Sequence, residues 1–229
     1  MPEARTFVRP DGRRFVLGRP EDSLPPGELF ATVDESDDEQ LHAFEALGFS
    51  RERRELDLVL RTDVPQAPAP SGAKAVRADE VDEETLRLLD DELRQDVPGT
   101  DGWRWPADDF REETYLSPHF DPAVYLVATR KGEYVGICRV WIRPEHARLG
   151  FIGVRRSLRR QGIARWLIGE AFAVLHARGE REVWTEVDEA NVASRTLLEG
   201  LGGRLVGASL ELRRPSEPRP SRALRRTRT

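Results

Sequence analysis

The chain has 229 residues, enough for one full domain and a fraction of another, and 38% of them are hydrophobic. Its formal net charge of −5 argues against a protein that coats nucleic acid, so we expect no specific nucleic-acid partner. The single cysteine excludes an intramolecular disulfide and a cysteine metal cluster, and we expect no metal site. Because no apolar run reaches membrane length and no signal peptide is evident, the sequence predicts a cytoplasmic protein without a membrane partner.

Composition divides the chain into four parts. Residues 1–61 form a small N-terminal piece, and the proline-rich residues 62–73 are typical of a linker. Residues 74–214 form the body. Residues 215–229 form a basic tail with little to bury, which we expect to be disordered.

The N-terminal piece resembles the end of the body. A shift of 154 positions places the sequence VDE at 33–35 on VDE at 187–189, and LG at 47–48 on LG at 201–202. This ungapped match predicts an internal duplication of one strand–helix–strand unit. The alternative is that two such units look alike because glycine ends helices in many proteins.

The body shows a regular order of helix and strand patterns. In chain order these are a helix over 81–94, a polar and aromatic stretch over 95–122, strands over 123–130, 134–142 and 147–154, a helix to about 178, a strand over 182–187, a helix from Asn191 to Gly202 and a strand over 205–213. Strands follow one another both through hairpins and across helices. We therefore predict an α/β (α+β) fold with a mixed sheet.

A turn containing Gly162 joins the strand over 147–154 to the helix that follows. The first backbone N–H groups of a helix have no intrahelical acceptor, and a glycine lets an anion approach them. Arg159, Arg160 and Arg165 add positive charge at the same point. These residues alone leave two alternatives open, a diphosphate site and a solvated basic surface.

Two motifs resemble those of the GNAT N-acetyltransferase superfamily. The pyrophosphate-binding pattern Arg/Gln-x-x-Gly-x-Gly/Ala is matched by Arg159, Arg160, Gln161, Gly162, Ile163 and Ala164. The later pattern Asn-x-x-Ala/Ser-x-x-Leu with a final Leu-Gly is matched by Asn191, Ser194, Leu197, Leu201 and Gly202. The resemblance covers residues 74–214 and implies a GNAT fold, a mixed, mostly antiparallel sheet flanked by helices. Residues 1–61 would then be a truncated GNAT-like half domain without the coenzyme A motif.

The resemblance also implies an activity and a cofactor site. Acetyl-CoA would bind between the strands over 147–154 and 182–187, and its acetyl group would pass to a primary amine of a small molecule or a peptide amino terminus by direct attack in a ternary complex. Expected cofactor contacts, besides residues 159–164, are Ile152, Gly153, Val154 and Asn191. A β-bulge near Gly153 would turn an N–H toward the thioester oxygen, and a kink without a catalytic part is the alternative.

Glu186 is the expected general base, because the string EVDEAN resembles Glu-Val-x-x-x-Asn of ribosomal-protein alanine acetyltransferases. Asp188 lies on the same face by strand alternation and is the second candidate. The structural alternatives are an ordinary strand carboxylate for Glu186 and a helix cap for Asn191. Leu198 stands where such relatives carry an acid tyrosine, so the general acid stays unassigned. A non-catalytic acyl-CoA-binding protein of the same fold is the alternative function.

The aromatic stretch over 95–122 corresponds to the region that walls the acceptor site in the family. Trp103, Trp105 and Tyr115 are therefore expected to bind the acceptor, with nearby carboxylates suited to a cationic amine. The alternative is an aromatic core with a solvated acidic rim. The identity of the acceptor and the oligomeric state, a homodimer included, stay open.

Overall fold

The computed structural model describes residues 5–20 and 24–216, which form two compact units. One unit holds the described residues up to Arg53 and those from Leu210 onward, and the other is Arg54–Ser209. Strands β4 (Ser50–Arg61) and β10 (Arg204–Arg214) each contribute to both units. The smaller unit is thus completed by the C-terminal part of β10, and the larger unit is one continuous segment. The domain limits expected from composition stay a prediction, and residues 217–229 of the expected tail lie outside the described residues.

The smaller unit is built on three further strands and one helix. These are β1 (Thr6–Val8), β2 (Arg14–Val16), β3 (Leu29–Asp34) and α1 (Asp38–Ala46). Strand β2 pairs antiparallel with β1 and parallel with β3. The apolar residues of β3 pack with Leu41 and Phe44 of α1 in a buried core.

The larger unit contains a sheet in the order β4-β9-β8-β7-β6-β5. Its strands besides β4 are β5 (Ala73–Arg77), β6 (Tyr125–Arg130), β7 (Glu133–Ile142), β8 (Ala147–Val154) and β9 (Glu182–Asp188). The pairs β4 with β9, β5 with β6, β6 with β7 and β7 with β8 are antiparallel, and β8 pairs with β9 in parallel. The predicted mixed, mostly antiparallel sheet is therefore confirmed.

Helices cover both faces of this sheet. They are α2 (Glu83–Arg94), α3 (Ala107–Thr114), α4 (Ile163–Ala177) and α5 (Val192–Glu199). Helix α2 starts where the Asp82 carboxylate accepts a hydrogen bond from the Thr85 N–H at 2.9 Å. Leu86, Leu89 and Leu93 of α2 then pack with the aromatic residues of 103–120 on one face, while α4 packs on the other. Helix α3 lies inside the stretch that the sequence pattern left without a helix.

In the two segments that the predicted duplication relates, a helix and a strand begin at equivalent positions. Helix α1 begins 154 residues before α5, and strand β4 begins 154 residues before β10. The caps match as well: Asp37 accepts from the Gln40 N–H at 2.9 Å, and Asn191 accepts from the Ser194 N–H at 3.1 Å. The capping residues and the first residues of these elements therefore recur at a spacing of 154, as a duplication predicts.

Candidate functional site

Strands β8 and β9 separate partway along their length. Their parallel ladder contains only Ala147 with Val183 and Arg148 with Trp184. The Thr185 hydroxyl then donates to the Leu149 carbonyl at 2.9 Å, and beyond this point each strand is paired with its other neighbour. The result is a split between the two strands, where the resemblance places acetyl-CoA.

The β-bulge in β8 lies at Gly150. Arg139 of β7 is opposite Phe151, and Val140 is opposite Leu149, so Gly150 is the extra residue. Gly153 is paired in register with Ile137. The predicted bulge near Gly153 is therefore wrong.

Gly153 has a packing role in this structure. A Cβ atom built there would lie 3.0 Å from the Leu93 Cβ and 3.2 Å from the Phe151 ring. The absence of a side chain thus lets helix α2 approach the strand closely. This explains the glycine without a catalytic function.

The turn before α4 exposes backbone donors. Gly162 is the N-cap of α4 with φ +84°, and Arg160 also has a positive φ of +62°. Across residues 5–20 and 24–216, no acceptor takes a hydrogen bond from the N–H groups of residues 160–165, and the helical series begins with the Trp166 N–H bonded to the Gly162 carbonyl at 2.9 Å. A Cβ at Gly162 would meet no protein atom within 4 Å. This arrangement fits an anionic ligand such as a diphosphate.

The three arginines of this turn have different surroundings. Arg159 donates to the Val154 carbonyl at 2.9 Å and forms an ion pair with Asp96. Arg165 donates to the Gly200 carbonyl at 2.9 Å. The exposed guanidinium of Arg160 makes no ion pair or hydrogen bond with the part of the chain that the structure describes. Arg160 is therefore the arginine with the most freedom to meet a ligand.

The other residues predicted to contact the cofactor differ in the exposure of their side chains. The side chains of Val154 and Ile163 are buried in the core, and those of Ile152 and Ala164 are half-buried against it. Only the main chain of the buried pair is able to touch a ligand. Gln161 is exposed, and its amide oxygen accepts from Arg130 at 2.7 Å.

Glu186 points to the face of β9 opposite the α4 core, because Val183, Thr185 and Val187 are buried on the other side. Its side chain is 32% exposed, and its Oε2 atom accepts from the Arg148 Nε at 2.6 Å. A second Arg148 nitrogen contacts the same oxygen. The predicted base is therefore solvent-accessible and oriented by an arginine.

Asp188 is held in the entry to α5. Its carboxylate accepts from the Ala190 N–H at 2.8 Å. Asp34, its equivalent in the N-terminal copy, accepts from the Ser36 N–H at the same distance. Because the N-terminal copy has no glycine turn of the Gly162 kind, the shared contact favours a structural role at helix entry for Asp188 over a role as base. Asn191 likewise is the N-cap of α5, the alternative given above.

Trp105 and Tyr115 lie in an aromatic core. Trp105 is 9% exposed, and its Nε1–H donates to Asp90 at 2.9 Å. The Tyr115 hydroxyl donates to the Ala78 carbonyl at 3.1 Å, and burial raises the pKa of Tyr115 to about 12. Trp103 is half-buried against the Trp105 ring. This placement fits the aromatic-core alternative for Trp105 and Tyr115, and acceptor binding by the three residues stays a prediction.

A cluster of arginines around Trp141 escaped the sequence reasoning. The guanidinium carbons of Arg139, Arg143 and Arg148 lie 5.1, 5.5 and 5.5 Å from the centroid of the Trp141 ring. The signal was present as the alternation Arg-x-Trp-x-Arg over 139–143, which places these side chains on one face. We refer to Arg139, Trp141, Arg143 and Arg148 below as the arginine cluster.

The family model described as the acetyltransferase (GNAT) family matches residues 86–202, a range that includes both the Gly162 turn and Glu186. The chain belongs to this family. The match begins in α2 and ends just after α5, so it covers the split and the elements around it. The predicted family and GNAT fold are thus confirmed.

Individual GNAT relatives resemble parts of the chain. A mycothiol acetyltransferase of Thermobispora bispora is 32% identical over 152 residues, which is 62% of this chain and 50% of that protein. A putative [ribosomal protein bS18]-alanine N-acetyltransferase of Bacillus subtilis is 26% identical over 98 residues, 43% of this chain and 63% of that protein. The crystal structure of a GCN5-related N-acetyltransferase from Sphaerobacter thermophilus has a TM-score of 0.69 at 25% identity, over 83% of this chain and 61% of that one.

The chain therefore spans about half to two thirds of the length of these GNAT relatives. Within the described ranges, no helix is both long and apolar enough to cross a bilayer.

Proposed function

We propose that this GNAT protein transfers an acetyl group from acetyl-CoA to a primary amine. The observation that carries the proposal is the row of backbone N–H groups at residues 160–165, which has no acceptor among the described residues and lies where β8 leads into α4. A helix start of this kind binds the phosphates of an anionic ligand. The names of the relatives, which include an alanine N-acetyltransferase, support an amine as the acceptor.

The residues of the split fit the rest of the carrier molecule. The Gly162 turn would hold the diphosphate, and the main chain of 150–154 would hold the pantetheine arm along the free side of β8. Acetyl-CoA would supply the acetyl group as a thioester. Because a bulge leaves one residue outside the ladder, we assign the N–H that faces the thioester oxygen to the bulge at Gly150 and not to Gly153.

Glu186 would accept the proton that the acceptor ammonium must lose before it attacks. Its contacts with Arg148 use Oε2 and orient the carboxylate on the open face of β9. Leu198 is 2% exposed and packs in the core, so no side chain at that position donates a proton to the departing thiolate. The chain thus supplies a base and an oriented site, and the general acid stays unassigned.

The test is the Glu186→Gln variant. We expect it to lower kcat for amine acetylation by about 100- to 10,000-fold, the usual contribution of a general base, because the amide cannot accept the proton. Acetyl-CoA affinity, measured by titration calorimetry, should stay within about twofold of wild type. Thiol release across a panel of amines measures the activity.

Glu182→Gln is the matched control, since Glu182 is an exposed glutamate at the other end of β9 and should retain wild-type activity. If the wild-type chain binds acetyl-CoA but acetylates no amine, and Glu186→Gln changes nothing, the non-catalytic acyl-CoA-binding alternative is correct.

A further inference from the structure

The arginine cluster lies on the same side of the sheet as Glu186. Arg139 and Trp141 lie on β7, Arg143 follows its last residue, and Arg148 lies on β8 and contacts Glu186. The Trp141 ring is in contact range of all three guanidinium groups and lies against Gly150, whose Cβ position is 3.4 Å from the ring. The cluster therefore connects the bulge to the proposed base.

The positive charges of the cluster are incompletely balanced. Arg148 forms an ion pair with Glu186, and Arg139 has a more distant counterion, with its Nη1 3.8 Å from the Asp90 Oδ2. Arg143 forms no ion pair with any residue in 5–20 or 24–216. Three cations thus share two carboxylates, and within the described ranges Arg143 is the one without an ion-pair partner.

Arg143 is also partly removed from water. Its Nε atom is buried and has no hydrogen-bond acceptor among the described residues. Burial lowers the pKa of Arg143, and the charge of Arg148 lowers it further, while Glu186 and Glu145 act in the opposite sense. A half-buried guanidinium beside another cation carries a free-energy cost, which an anion bound to it would remove.

Arg139 adds a second donor without an acceptor. Its side chain is 3% exposed, and its Nε atom has no hydrogen-bond acceptor in the part of the chain that the structure describes. A buried polar donor of this kind is uncommon in folded proteins and is usually satisfied by a ligand, an ion or water. Two of the three arginines around Trp141 therefore have unused donors.

We propose that the arginine cluster binds a carboxylate group of the acceptor, so that the substrates are amines that also carry a carboxylate, such as amino acids or short peptides with a free C-terminus. This inference rests on the proposed function and specifies its acceptor. A guanidinium matches a carboxylate in shape and charge through two parallel N–H donors. Arg143 makes the main contact, and Arg139 strengthens the positive field behind it. The amine of the same molecule then lies toward Glu186.

The test compares free acids with their amides. Amino acids, dipeptides and tripeptides are each assayed with a free C-terminal carboxylate and with a C-terminal amide, because the length between amine and carboxylate is not fixed in advance. For at least one length, we expect kcat/KM of the free acid to exceed that of the amide by about 10- to 100-fold, the range for a hydrogen bond to a charged group.

Arg143→Gln should reduce this acid-to-amide ratio to about twofold or less, mainly through a higher KM for the acid, and Arg143→Lys should retain part of it. Arg181→Gln is the control, because Arg181 is exposed just before β9 and its loss should leave the ratio unchanged. The acid-to-amide ratio of the wild-type chain tests the inference even where a variant is unstable.

Equal acetylation of acids and amides by the wild-type chain, or a ratio that survives Arg143→Gln, overturns this inference and leaves the proposed function standing. Acetylation of neither acids nor amides also overturns this inference, and the amine panel described above then decides whether the proposed function stands.

Discussion

At the scale of single residues, Gly153 determines how closely helix α2 approaches strand β8. The position a side chain would take there is already filled by Leu93 and Phe151 at 3.0–3.2 Å. At Gly150 the atoms nearest to a methyl group would be those of the Trp141 ring, at 3.4 Å, an ordinary contact distance. Two glycines three residues apart on one strand therefore differ in how much room they have.

This difference predicts unequal effects of alanine. Gly153→Ala should lower the free energy of unfolding by about 1–3 kcal/mol, because added atoms in a packed core force their neighbours to move. Gly150→Ala should change it by less than about 1 kcal/mol. Urea unfolding of the two variants measures both values. Equal losses would show that Gly153 has no special role in packing.

The site residues also show which features the sequence predicted and which it did not. Glu186 was identified from a string resemblance, and its exposure on β9 follows from simple strand alternation. Asp188 fits the same alternation, but its carboxylate is bonded to the Ala190 N–H, a local contact that alternation does not reveal. Trp105 was assigned to the acceptor wall, although its N–H is bonded to buried Asp90, an acid fifteen residues away. Contacts between separate elements decide such cases.

At the scale of elements, one carboxylate connects the end of α2 to the Gly162 turn. Asp96, two residues after α2, forms ion pairs with Arg156 and Arg159. The Arg156 hydrogen bond, followed by that of Arg159, holds the pKa of Asp96 below its ordinary value of 3.8. The native fold thus favours the ionised form of Asp96. The two ion pairs of this carboxylate help to fix the Gly162 turn, whose backbone N–H groups are exposed.

The sign of this pKa shift predicts a pH dependence. A carboxyl group whose pKa is lowered on folding stabilises the protein fully above its unfolded pKa, and this contribution is lost as the pH falls through the folded pKa. Asp96→Asn should therefore lower the free energy of unfolding by about 1 kcal/mol near neutral pH. The gap from wild type should shrink below pH 3.8.

Urea unfolding across pH measures this gap. Glu113→Gln is the control, because Glu113 is exposed and forms no ion pair within the described ranges. A gap for Asp96→Asn that stays constant with pH would contradict the assignment.

At the scale of the whole molecule, the sequence predicted strands β6 to β9 and the mixed sheet of the larger unit, but it predicted no strand at β5. Caps, glycines and alternation are local, and they recur at matching positions such as Asp37 and Asn191 in the two segments that the predicted duplication relates. The contribution of β10 to the smaller unit was not predictable, because it depends on which strands pair over long distances. The bulge was misplaced by three residues for the same reason, since register is a property of two strands together.

The arginine cluster of the proposed acceptor site was likewise not predictable from the sequence. Arginines are so common in this sequence that the alternation of Arg139, Trp141 and Arg143 did not by itself indicate a binding site. Their convergence on Trp141 and the lack of a counterion for Arg143 become visible only when β7 and β8 are placed side by side. The sequence instead predicted an acceptor site that binds a cationic amine.

Coenzyme A affinity measured by titration calorimetry on matched glycine variants tests the central claim most directly. Gly162 and Gly179 lie at the two ends of α4, with φ +84° and +93°, and a Cβ at either would meet no protein atom within 4 Å. Alanine therefore introduces similar backbone strain at both positions, but only at Gly162 does its methyl group obstruct the exposed N–H groups. We predict that wild type and Gly179→Ala bind coenzyme A equally, and that Gly162→Ala binds at least about tenfold more weakly. Failure of the wild-type chain to bind coenzyme A, or equal affinity in all three proteins, would contradict the account.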